Sequence, residues 1–183
     1  MGSIAAEWTT TNGDNEIVLG AWYAEAISAN YIELNLAAAD IIPFETVQVT
    51  FGYTWLDLEK DDESDNELSI EFGASPLESL DFTAAFVYST EAGGTFVELI
   101  ASTDIERNEF TLTPFALLGI NEGFVFDEHK GLNNLQLGFE ASTPISDSME
   151  LRGYIAYTIA LDKKPGESLD DIFWVGLGIG FGN

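Results

Sequence analysis

Hydrophobic alternation with a period of two runs along almost the whole chain, and it leaves few folds open. In 45–58 (ETVQVTFGYTWLDL), Val47, Val49, Phe51, Tyr53 and Trp55 share one side, while Gln48, Thr50, Gly52 and Thr54 share the other. Residues 132–143 set Leu135, Leu137, Phe139 and Ala141 against Gln136, Gly138, Glu140 and Ser142. The closing 171–182 sets Phe173, Val175, Leu177, Ile179 and Phe181 against Trp174 and four glycines, which predicts bulky residues toward an apolar medium and glycines toward a crowded interior or close to the first strand where a barrel would shut. No segment carries a capped stripe of period 3.6, so helix content is expected to be low.

The pattern predicts ten strands, at 16–26, 30–41, 45–58, 66–75, 80–90, 95–106, 109–120, 132–143, 148–161 and 171–182. Residues 4–12 read equally as a short strand, a tail or a plug. Two strands blur the alternation: Phe96, Ile100, Phe115 and Leu117 fall on the side that should be polar, and Pro114 removes a ladder donor. The links near 42–44, 76–79, 107–108 and 144–147 are short, and those at 59–65, 91–94, 121–131 and 162–170 are longer or more polar. A meander sorts its turns in this way, with short turns at one end and long loops at the other; only 27–29 departs from the order. The stretches 72–88 and 139–157 echo each other as strand, Pro turn, strand and Tyr.

A sheet with one apolar face must bury it, against another sheet or in lipid. The first solution is a soluble acidic barrel or sandwich that binds a hydrophobic ligand or serves an assembly. Three features favour the second. Strands of 10 to 14 residues are long enough to cross an apolar band of about 25 Å at about 40° of tilt. The opposite face is built from Gly, Ser, Thr, Ala, Gln and Glu, a mixture suited to a tight polar interior. Aromatic residues gather near strand ends, as at Trp22, Tyr23, Tyr31, Tyr53, Trp55, Tyr88, Phe173 and Trp174. The expectation is therefore an all-β protein: an antiparallel up-and-down β-barrel of about ten strands (eight to twelve), of transmembrane type. It would form one domain over 16–183, after an N-terminal tail or short strand at 1–15 that starts with Met1, Gly2 and Ser3 as a cloning remnant.

Composition narrows the partners. Six Lys and Arg against 32 Asp and Glu give a formal charge of -26, which repels nucleic acid and suits a high-salt habitat or a cation-attracting surface. The chain is nonetheless 46% hydrophobic, so a disordered acidic tail is excluded. The absence of cysteine excludes disulfides and thiolate metal sites. Lipid or detergent is the partner expected for the apolar face, and the oligomeric state is left open.

As a whole, and most clearly in GLNNLQLGFEASTPISDSMELRGYIAYTIAL (131–161) and DDIFWVGLGIGFGN (170–183), the chain resembles bacterial outer-membrane β-barrel and porin-like exported proteins. That resemblance implies an outer-membrane location and an export signal outside this sequence; many proteins of this kind have no characterised function, and others act in passive diffusion rather than catalysis.

Sites follow from the two faces. Glu33, Glu67, Glu71, Glu98, Glu140 and Glu150 are expected to face the lumen with Arg152, a lining that favours small cations if water fills it. Val47, Val49, Phe51, Leu135, Leu137, Phe139, Val175, Leu177, Ile179 and Phe181 are expected to face lipid. The run DLEKDDESDNE supplies Asp57, Glu59, Asp61, Asp62, Glu63 and Asp65, hard oxygen ligands for weak Ca2+ binding that lack EF-hand spacing. His129 is the single histidine and has no Cys partner, which argues against a zinc centre. No G-x-S-x-G or P-loop pattern occurs, and no enzyme or cofactor is expected.

Overall fold

A computed structural model describes residues 2–25, 32–58, 63–77, 79–124, 130–146, 149–161 and 171–181. They form twelve strands: β1 (Gly2–Asn12), β2 (Asn15–Glu25), β3 (Ile32–Pro43), β4 (Gln48–Leu58), β5 (Glu63–Leu77), β6 (Leu80–Ser89), β7 (Thr95–Ser102), β8 (Ile105–Arg107), β9 (Phe110–Glu122), β10 (Lys130–Ser146), β11 (Met149–Ala160) and β12 (Ile172–Phe181). Neighbours in sequence are neighbours in the sheet, in the order β1-β2-β3-β4-β5-β6-β7-β9-β10-β11-β12, with β8 paired to β9 off this path.

Turn chemistry accounts for the hairpins. Asn12 pairs with Asn15, leaving Gly13-Asp14 as a two-residue loop, and Gly13 takes φ 68°, a value a side chain would resist. This hairpin makes β1 a full strand, although its sequence, GSIAAEWTTTN, alternates poorly. At the β8–β9 turn Asn108 takes φ 57°, a conformation Asn tolerates better than most residues. Between β6 and β7, the Ser89 N–H donates to the Gly94 carbonyl at 3.0 Å and the Gly93 N–H to the Ser89 carbonyl at 3.1 Å.

The strand expected at 95–106 is divided in two, with a break at Thr103 and Asp104. Pro114 lies opposite and keeps only its acceptor, taken by the Thr103 N–H at 3.3 Å, while the Thr113 hydroxyl donates to the Asp104 carboxylate at 2.5 Å. The missing donor therefore breaks the neighbouring strand, and β9 continues through the proline.

Two compact units share the strands. The first comprises residues 1–73, 85–97 and 121–129, and the second 74–84, 98–120 and 130–183. The buried groups of the first are small or polar, Ala24, Ala85, Glu33, Ser89 and Asn121, and those of the second are Ala156, Ala160 and Asn133. Large apolar side chains in both units stay exposed, among them Phe51, Leu68 and Phe86 in the first and Leu137, Phe139 and Ile155 in the second. Burial is thus inverted relative to a water-soluble sandwich.

The strand path corrects the expected closed barrel. It is open, with β1 and β12 as its two ends, and no ladder joins them among the described residues. Burial agrees: Ser3–Thr9 of β1 and Ile172–Ile179 of β12 are exposed at every position, on both faces. Alternation specifies which face of a strand is apolar, whereas closure needs a ladder between the first and last strands, on which alternation is silent.

Candidate functional site

Polar side chains converge on the face opposite the exposed apolar rows. In the first unit β3 contributes Glu33, 9% exposed, whose Oε1 accepts from Asn35 Nδ2 at 2.9 Å. Glu67 and Glu71 of β5 stand across from Thr54 and Thr50 of β4. Glu98 of β7 is half-buried in the second unit.

In the second unit the ladder between β10 and β11 sets Gln136 opposite Thr158 and Glu140 opposite Tyr154. Gln136 Nε2 donates to Thr158 Oγ1 at 2.8 Å, the Tyr154 hydroxyl donates to Gln136 Oε1 at 3.2 Å, and Trp174 Nε1 donates to the same Thr158 oxygen at 3.0 Å. At the start of β11 Arg152 Nε sits 2.5 Å from Glu150 Oε2, so this cation is already neutralised by its neighbour.

The four apolar residues that blurred the alternation find their place on this face. Phe115 stacks on Tyr154, with ring centroids 5.9 Å apart and planes 20° from parallel. Phe96 meets Phe124 at 5.9 Å in the first unit. Phe115 is admitted by Gly138, where a Cβ would lie 2.5 Å from the Phe115 Cζ and 2.8 Å from the Ala156 Cβ. Around the stacked pair Ile100, Leu117, Ser102 and Thr113 complete, with Gln136 and Glu140, a cavity of about 250 Å³. Its only sequence signal was the broken alternation at Ile100, Phe115 and Leu117; the pairing of Gln136 and Glu140 with β11 was not readable.

The acidic run is divided. Glu59, Asp61 and Asp62 lie outside the described residues. Asp57, next to last in β4, stands opposite Ser64, and Glu63 opens β5. Asp65 lies beyond the exposed apolar row of β5, which begins at Leu68, and its carboxylate accepts from Ser89 Oγ at 2.5 Å, the Glu91 N–H at 3.0 Å, the Asn66 N–H at 2.7 Å and Thr90 Oγ1 at 3.4 Å. Partial burial acts to raise its pKa, but these donors, Ser89 foremost, outweigh it and hold the carboxyl below its ordinary value. Its oxygens thus clamp the β6–β7 turn. Among the described residues no three His, Cys, Asp or Glu groups are placed to share a metal ion.

Of the residues expected to face lipid, Phe51, Leu137, Phe139 and Ile179 are exposed, Val175 and Leu177 are 71% and 83% exposed, and Leu135 and Val49 are half-exposed. Val47 precedes β4, and Phe181 closes β12 with its side chain outside the description.

No protein family's sequence profile matches the chain. No curated protein matches it either. In fold the chain is similar to the NanC porin in a rhombohedral crystal form: the match covers 99% of this chain and 93% of that one, with a TM-score of 0.65 and 9% identity. The chain is therefore porin-like in fold.

Proposed function

We propose that the chain is a non-enzymatic, porin-like protein of the bacterial outer membrane whose acidic polar face passes small cations. The inverted burial carries the reading. Exposed Phe, Leu, Ile and Val rows on one face and Ala, Gly, Ser, Asn and Glu on the other suit hydrocarbon outside and polar solutes inside. Six glutamates on that face against Arg152, itself paired to Glu150, set the sign of the field.

Two measurements test this. Purification should require detergent, and a monodisperse protein stable in plain buffer would overturn the membrane reading. In planar bilayers under a KCl gradient, the reversal potential should have the sign of K+ preference and move toward zero in Glu67→Gln/Glu71→Gln. Anion preference, or no conductance, would refute the transport reading.

A further inference from the structure

The cavity of the second unit is more than leftover space between strands. A filled polar interior would turn Phe115, Ile100 and Leu117 outward; here three strand residues break the alternation to bring apolar surface to the polar side. They meet a carboxylate there. Glu140 stands directly across the ladder from Tyr154, is exposed, and has no Lys or Arg partner among the described residues. Gly138 holds no side chain between Gln136 and Glu140, which leaves room for the Phe115 ring.

We infer that this cavity binds a small organic cation of the ammonium class, its methyl or methylene groups against the Phe115 and Tyr154 rings and its charge toward Glu140. The chemistry is complementary on each side. Ring faces attract a cation through their quadrupole. Glu140 adds Coulombic attraction and disfavours anions, while the Gln136 and Tyr154 dipoles, fixed by their mutual hydrogen bond, are available to a hydroxyl on the ligand. The cavity, about 250 Å³, is large enough for a four- to seven-atom cation with room for water. An inorganic cation would gain nothing from Ile100 and Leu117. The inference deepens the cation-passing reading and rests on it for the sign of the solute's charge.

Calorimetric titration of the purified full chain tests it, with choline as the probe and 3,3-dimethylbutan-1-ol as a comparator of the same shape without the charge. Choline should bind saturably at one site, with the alcohol about tenfold or more weaker. Glu140→Gln, an exposed and isosteric change, should weaken choline about tenfold while leaving the thermal melt unchanged. Tyr154→Leu, which keeps the carboxylate and removes a ring, should weaken it similarly and gives the same readout should the first variant fold poorly. Equal binding of choline and the alcohol, undiminished choline binding in both variants, or no saturable choline binding would overturn the inference. The assay does not depend on conduction. K+ selectivity in bilayers without choline binding would remove this site and leave the channel, whereas choline binding without conductance would support the site and remove the channel.

Discussion

Replacing Gly138 with Ala should destabilise the protein, although alanine is ordinarily the better residue in a strand. The Cβ it adds would lie 2.5 Å from Phe115 Cζ, 2.7 Å from Phe115 Cε1 and 2.8 Å from Ala156 Cβ. The Phe115 contacts could be relieved by rotating the ring, but the Ala156 Cβ is fixed to the backbone of β11 and cannot yield without moving the strand. Overpacking of this kind costs about 1–3 kcal/mol. Displacing the ring also sacrifices its stack on Tyr154, worth about 0.5–1.5 kcal/mol. Against this stands a gain of about 0.4–1 kcal/mol from the less flexible unfolded chain. The net expectation is a loss of about 0.5–4 kcal/mol. Gly153→Ala is the matched control, because nothing lies within 4 Å of a Cβ there, and it should be neutral or slightly stabilising. Urea unfolding followed by tryptophan fluorescence, in the detergent of purification, compares the three proteins. Adding Phe115→Leu to Gly138→Ala should recover part of the loss, since it removes the ring that the methyl displaces. A Gly138→Ala protein as stable as wild type, or a double mutant whose effects simply add, would refute the argument that this glycine exists to seat Phe115.

Gly94→Ala should be more severe, costing about 3 kcal/mol or preventing folding, because its Cβ would lie 2.1 Å from the Gly123 carbonyl carbon and 2.5 Å from the Phe124 N, both backbone atoms; a well-folded variant with an unchanged melt would contradict this. Asp65→Asn should cost about 1–2 kcal/mol by weakening charge-assisted bonds to the β6–β7 turn. Its pH dependence has a fixed sign: the folded carboxyl is held below its ordinary value, so its contribution is complete above an unfolded pKa of about 3.9 and lost as pH falls through the folded one. The stability gap between wild type and Asp65→Asn should therefore narrow on acidification below about pH 4, and a gap that widens would show the sign to be wrong. Hydrogen exchange tests the open strand path: outward-facing edge amides of β1 and β12 should exchange faster than those of β3 and β11, and equal protection would mean that both edges are paired.

Much of the sheet was legible because alternation reports the face of every residue. Leu135, Leu137 and Phe139 fall on one side of β10 and Gln136, Gly138 and Glu140 on the other. What alternation could not report was pairing. For β1 the pattern leaves a short strand, a tail and a plug all open, because Thr9, Thr10 and Thr11 carry no apolar rhythm, and it is the Gly13-Asp14 loop that folds the segment back on β2 in register through eleven residues. The carboxylates of the acidic run were legible as oxygen donors, but not the use of Asp65, since its partners Ser89, Thr90 and Glu91 lie more than twenty residues away and are brought in by the sheet. The cavity was least legible. Its only trace was an error in the pattern at Ile100, Phe115 and Leu117, and a broken period reads as noise until the strand across from it is known.

The glycines show how far identical residues can differ in what they do. In β12 the row Gly176, Gly178 and Gly180 invites the expectation of a crowded interior, yet a Cβ at Gly178 would meet nothing within 4 Å, and those at Gly176 and Gly180 only ordinary contacts with Tyr154 and Arg152 at 3.7 and 3.6 Å. Crowding is found instead at Gly138, in the middle of β10. The row in β12 therefore does not act through close packing in the described structure. It leaves the last strand smooth on its polar side, next to Tyr154, and so keeps side chains away from one flank of the aromatic pair. Gly138 clears the floor beneath the other ring. On this view two unlike uses of glycine, an empty edge and a tight seat, serve the same aromatic and carboxylate site. The cavity is then a product of omitted side chains as much as of those that line it.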